Sequence, residues 1–176
     1  RVYKNLLPEF PSLKLLIAPR HPERAREIKG LALNYGFNSV FISKLLPETG
    51  DRRPETIFIL DTIGQLMHFY AISDIVFVGG SLIKKGGHNI LEPAIFAKPI
   101  LCGPYTFNFK DITDLFLRNK ACVLIHNEEE LLEKIKYLLN NPSVMIELGA
   151  HAKGLILENR GATKRNLECI RQLMDF

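Results

Sequence analysis

Cysteine is scarce: Cys102, Cys122 and Cys169 are the three in 176 residues, an odd number with no Cys-x-x-Cys pair. That spacing excludes a disulfide framework and a zinc ribbon and fits a reducing compartment. The five histidines stand singly, with no pair at a helical ligand spacing, so neither a metal nor a cofactor is expected. No apolar run approaches the roughly 20 residues that span a bilayer, and no signal-like segment opens the chain. Low-complexity and disordered tracts are missing too. With 47% hydrophobic and 24% charged residues, the composition is that of a soluble globular domain large enough to bury a continuous core. Neither charge sign dominates. A net charge of +4 and a pI near 9.0 lean toward anionic partners such as phosphates or an acidic membrane surface. The basic residues are nevertheless spread along the chain, as on solvated helix faces, and no nucleic acid is expected as a partner. The chain opens on Arg1 and not on Met, which raises the expectation of a piece of a longer protein.

Short apolar runs alternate with longer segments of helical period, the pattern of a parallel sheet wrapped by helices. Strands are predicted over Leu13 to Ala18, Val40 to Ile42, Thr56 to Leu60, Asp74 to Val78, Pro99 to Cys102 and Ala121 to Ile125. Several are apolar throughout, as strands buried on both faces must be. Pro22 and Gly36 bracket the first long helix as N-terminal proline and C-terminal glycine. Asn127 followed by Glu130 reads as a capping box, with Leu131, Leu132, Ile135, Leu138 and Leu139 on one face and Asn141-Pro142 as the stop. From Pro142 onward the pattern is helical, with a break near 159–161 and a closing helix over about 162–174. The expected architecture is an α/β, Rossmann-like open parallel sheet of about six strands with helices on both faces. Residues 1–12 read as the remnant of an interdomain connection, 13–160 as the domain, and 161–176 as a C-terminal helix packing on or crossing from it. In such sheets ligands bind at the carboxyl ends of the strands.

The densest chemistry follows the fourth strand: Gly79-Gly80-Ser81-Leu82-Ile83-Lys84-Lys85-Gly86-Gly87-His88-Asn89-Ile90-Leu91-Glu92-Pro93-Ala94. Strand, glycine loop and helix come in the order that offers backbone amides and a helix N-terminus to a phosphate. The spacing is neither a Walker loop nor Gly-x-Gly-x-x-Gly. Glu92, in the first helical turn, is placed either to accept hydrogen bonds from vicinal ribose hydroxyls or to pair with Asn89 as a helix cap. Two further strand ends carry candidates. Arg20 in Pro19-Arg20-His21-Pro22 suits a phosphate or a surface ion pair. Asp61-Thr62-Ile63-Gly64-Gln65-Leu66 presents backbone suited to a base edge, or an Asp61 helix cap. The turn Gly103-Pro104-Tyr105-Thr106-Phe107-Asn108-Phe109 reads as packing before it reads as a sugar or acceptor contact, and Cys102 as core.

In that order these motifs resemble the bacterial 3-deoxy-D-manno-octulosonic acid (Kdo) transferases. The resemblance is carried by Ala18 to Arg24, Asp61 to Gly64, Phe77 to Ser81, Gly86 to Pro93 and Gly103 to Phe109, and it runs from about Leu13 to the final helix. It implies the C-terminal, nucleotide-binding half of a GT-B glycosyltransferase with twin Rossmann-like halves. The donor would be CMP-Kdo, the acceptor a lipid A precursor, and transfer would invert the anomeric carbon in lipopolysaccharide biosynthesis. By the same resemblance the catalytic carboxylate, the acceptor groove and the membrane-facing surface belong to an amino-terminal half. No catalytic residue is then expected in this chain, which alone would not be competent. The nucleotide-binding set it implies is Arg20, Gly64, Gln65, Leu66, Ser81, Gly86, Gly87, His88, Asn89 and Glu92. Arg20 and the loop amides would meet the phosphate, the backbone of Gly64 to Leu66 the cytosine, and Glu92 the ribose, with no metal. Gln65 stands where many relatives have Glu, and Lys84-Lys85 where Pro-Arg is commoner. The full-length protein would work at the cytoplasmic face of the bacterial inner membrane. The competing classes are a UDP-sugar 2-epimerase or other UDP-sugar domain, and a non-catalytic nucleotide-binding module.

Overall fold

The computed structural model describes residues 1–45, 56–160 and 170–172. In chain order the elements are α1 (Val2–Leu6), β1 (Leu15–Ile17), α2 (Ala25–Asn34), β2 (Asn38–Phe41), β3 (Thr56–Ile59), α3 (Leu66–Ile72), β4 (Val76–Val78), α4 (Leu91–Ile95), β5 (Ile100–Cys102), α5 (Lys110–Arg118), β6 (Val123–Leu124), α6 (Glu128–Asn140) and α7 (Pro142–Glu158). Each predicted strand is present, shorter than its apolar run by a residue or more at one or both ends, except that β2 begins earlier, at Asn38. The fold is α/β with parallel strands, as expected. Hydrogen bonding groups the strands as two three-stranded parallel ladders, β1-β3-β2 and β4-β5-β6. Contacts divide the chain correspondingly into two compact units, residues 1–73 with 126–140, and residues 74–125 with 141–176.

In the first unit, Leu15 to Ile17 run in register with Ile57 to Ile59, and Asn38 to Phe41 with Thr56 to Ile59. The ladder has its core on Ala25, Ala32, Phe37, Ile57 and Ile59. Tyr3 of α1 closes that core, its ring 5.3 Å from Phe37 and its hydroxyl donating to the Leu13 carbonyl at 3.0 Å. The stretch read as a connection therefore contributes a buried aromatic to the fold. Helix α6 lies against α1, where Lys136 and Asn140 reach Glu9 at 2.8 and 2.9 Å. The capping signal before α6 is met in half: Asn127 Oδ1 accepts from the Glu130 N–H at 2.8 Å, while Glu130 accepts from the His126 N–H at 3.0 Å and not from that of Asn127. Gly36, at φ +84°, ends α2 as its placement predicts.

The second unit packs β4, β5 and β6 against α4, α5 and α7. Its core is Val78, Ile90, Ala94, Ile100, Cys102, Phe116, Ala121, Cys122, Ala152 and Leu155. Helix α7 presents Gly149, Ala152 and Leu155, one residue per turn, as its buried stripe. Small residues there allow close approach: a Cβ on Gly149 would lie 1.9 Å from the Ala97 carbonyl oxygen. No helix among the described residues is long and apolar enough to cross a membrane. Of the expected closing helix, residues 170–172 are helical and the rest lies outside the described residues.

Candidate functional site

Parallel pairing sends every strand of a ladder out at the same edge, so the loops that follow share one rim of each unit. In the first unit that rim carries Arg20 after β1, Ser43 after β2 and the Asp61 to Leu66 turn after β3, with Ile17, Phe41 and Ile59 level in the ladder. Arg20 is exposed and forms no ion pair with a described residue; His21 lies 3.6 Å from Glu23. Asp61 does not cap the following helix. Its carboxylate accepts from the Ser43 N–H at 2.9 Å and from Ser43 Oγ, tying the β2 and β3 loops together. Burial pushes this carboxyl up, but the two Ser43 hydrogen bonds act against it and leave it below its ordinary range. Gly64 holds φ +85°, with open space where a Cβ would project. Gln65 accepts from Thr62 Oγ at 2.6 Å through its Oε1 and precedes α3, which begins at Leu66.

In the second unit the glycine loop leaves β4 and curls back on itself. Gly80, Gly86 and Gly87 all take positive φ, +73°, +87° and +67°, a backbone region nearly closed to other residues. The loop shuts where the Gly87 N–H donates to the Gly80 carbonyl at 3.3 Å. This corrects the expectation of two uncovered amides: both Gly86 and Gly87 are buried and the Gly87 donor is taken. The Gly86 N–H finds no acceptor among the described residues. Positive φ at three glycines supplies the reason, since it turns the chain far enough for the loop's ends to meet.

Ser81 also departs from expectation. It is 0% exposed, its Oγ donates to the Val78 carbonyl at 2.5 Å, and the same oxygen accepts from the Gly103 N–H at 2.7 Å. A side chain so enclosed has nothing to offer a nucleotide. Asn89 and Glu92 pair, as one reading of the sequence has it, but the contact to the helix start is made by Asn89: its Oδ1 accepts from the Leu91 N–H at 3.0 Å, while its Nδ2 donates to Glu92 Oε1 at 3.2 Å and Glu92 accepts from no backbone N–H of the described residues. Glu92 is half-buried, and its Oε2 takes no hydrogen bond from the described residues. Pro93 falls in the first turn of α4, where its missing N–H costs no helical bond. Helix α4 has only five residues, so little macrodipole is added at its start. His88 is half-buried, flanking Gly79 at 3.7 Å from where a Cβ would stand.

The loop after β5 was read as packing, and it packs against the glycine loop. The Tyr105 N–H donates to the Ser81 carbonyl at 2.9 Å and the Asn108 N–H to the Gly86 carbonyl at 3.3 Å. Asn108 Nδ2 reaches the Lys85 carbonyl at 3.4 Å. Cys102 and Cys122 are both buried in the core, and the hydrogen bond between them pushes the Cys122 thiol up and the Cys102 thiol down.

Parallel ladders with interleaved helices and a glycine loop leading from β4 to α4 define a Rossmann-like domain of the kind found in the C-terminal half of GT-B glycosyltransferases. No protein-family model matches the chain. It is 36% identical over 174 residues to the 3-deoxy-D-manno-octulosonic acid transferase of Haemophilus influenzae, covering 98% of this chain and 40% of that protein. The corresponding transferase of Aquifex aeolicus is 33% identical over 140 residues, 80% of this chain and 37% of that one. Among solved structures, the C-terminal CMP-Kdo binding domain of WaaA from Acinetobacter baumannii superposes with a TM-score of 0.79 at 30% identity, covering 88% of this chain and 79% of that domain. The chain belongs to the bacterial Kdo transferase family and corresponds to its C-terminal domain. It spans about two fifths of the length of the Haemophilus relative.

Proposed function

We propose that the chain is the CMP-Kdo-binding half of an inverting glycosyltransferase that adds Kdo to a lipid A precursor at the cytoplasmic face of the inner membrane. Its likeness to the Acinetobacter CMP-Kdo binding domain and to the Haemophilus transferase supports the reading. The observation that carries it is the Asn89–Glu92 pair beside the closed glycine loop: Asn89 fixes one carboxylate oxygen and leaves Oε2 to accept from a ribose hydroxyl. Gly86 contributes an N–H, and His88 the flank, for the phosphate. In the first unit, Arg20 is proposed as a phosphate contact and the backbone of Gly64, Gln65 and Leu66 as base contacts.

Binding energy at such a site serves catalysis when it strengthens as the nucleotide departs, because charge then builds on the phosphate. Deprotonation of the acceptor hydroxyl and membrane attachment belong, in this reading, to a separate amino-terminal half, so the 176 residues alone transfer nothing. Titration calorimetry of the full-length protein with CMP and with UDP tests the assignment. CMP is expected to bind more tightly; preference for UDP, as in a 2-epimerase, or binding of neither would overturn it.

A further inference from the structure

We propose that Ser81 and Asn108 are positioning residues that hold the glycine loop in its ligand-ready shape without touching the ligand; this rests on the functional reading above. Ser81 joins three segments. Its hydroxyl donates to Val78 at the end of β4 and accepts from Gly103 after β5, and its carbonyl accepts from Tyr105. One hydroxyl has one proton to give, and here the proton and a lone pair are both engaged. The contact is also close in the backbone: a Cβ on Gly103 would stand 2.2 Å from the Ser81 carbonyl oxygen, so the two loops meet only because residue 103 is glycine.

Asn108 acts at the far end of the same loop. Its N–H and side-chain amide hold the Gly86 and Lys85 carbonyls, and its Nδ2 lies 2.3 Å from where a Gly86 Cβ would be. Tyr105 and Thr106 flank Gly87, at 3.4 and 3.5 Å from where its Cβ would project. The loop after β5 thus grips the glycine loop at Ser81 and at Lys85 and Gly86, both inside the Gly80–Gly87 closure. If the loop were released, its glycines would regain the broad conformational freedom that binding must then remove again.

The test uses the full-length enzyme with Ser81→Ala and, because that buried change can impair folding, also the exposed Asn108→Ala. Hydrogen exchange by mass spectrometry over residues 79–88 reads the loop, and steady-state kinetics read the donor. Both variants are expected to exchange faster in that segment and to raise the donor KM about 5-fold or more with kcat at saturating donor little changed, the loss of about one hydrogen bond's worth of order. Unchanged exchange in both variants overturns the grip. Faster exchange with an unchanged donor KM overturns the link to the nucleotide, and with it the positioning role. An unsubstituted enzyme that binds no CMP instead defeats the functional reading, which the ligand-free exchange measurement keeps separate from the grip.

Discussion

Glu92→Gln separates the two roles open to this side chain. In the structure its Oε1 accepts from Asn89 Nδ2 at 3.2 Å, and a glutamine oxygen can take the same proton, so the cap survives. What disappears is the second carboxylate oxygen, the acceptor proposed to meet the ribose: glutamine puts an uncharged NH2 donor there. Hydrogen bonds to charged acceptors contribute about 1.5–3 kcal/mol, and since Glu92 is half-buried the lower end applies. That corresponds to a CMP Kd raised roughly tenfold, with Tm shifted by less than about 2 °C. Asn89→Ala provides the contrast: it removes the bond to the Leu91 N–H as well as the tether on Glu92. Loss of the cap costs about 1 kcal/mol, so Tm should fall by roughly 2–4 °C. Calorimetry on the full-length protein and thermal denaturation of the same samples supply both numbers. A Glu92→Gln protein that melts with the parent and binds CMP within twofold of it would make Glu92 a partner of the Asn89 cap and nothing more.

Two glycines of α7 should respond oppositely to alanine. Gly154 has open space around a Cβ, so Gly154→Ala gains helix propensity of about 0.8–1 kcal/mol and raises Tm by roughly 2–4 °C. Gly149→Ala drives a methyl into the Ala97 carbonyl and lowers Tm despite the same propensity gain, because overpacking against backbone costs about 1–3 kcal/mol or more; melting curves that move the same way for both would refute the packing. Acid should weaken the first unit through Asp61. Its carboxyl is depressed in the folded state, so its contribution is complete above the ordinary carboxylate range near about pH 4 and is lost as pH falls through the lower folded value. The acid limb of Tm against pH should therefore be steeper for the parent than for Asp61→Asn, and equal slopes would exclude the Ser43 tether as its cause.

Strands were readable because they are local: Ile57 to Leu60 and Pro99 to Cys102 are apolar whatever surrounds them, and parallel strands buried on both faces leave that mark directly. The Asn127 cap and the Gly36 stop were readable for the same reason, each depending on residues within one turn. Grouping the strands three and three was not, since ladder membership depends on partners dozens of residues apart, such as Leu15 with Ile57. The site shows the same divide. Asn89 and Glu92 were legible together at a separation of three, whereas the enclosure of the Ser81 side chain was not, because one of its two partners, Gly103, lies 22 residues onward and carries no side chain to announce itself. Glycines at 80, 86 and 87 signal unusual backbone without saying toward what it bends. In this loop they bend it toward its own Gly80 carbonyl, so the same residues that advertise a phosphate cradle also remove one of its donors. Of the two amides the sequence offers a phosphate here, the Gly86 N–H alone is without an acceptor among the described residues, so a count of glycines overstates what the loop can give an anion.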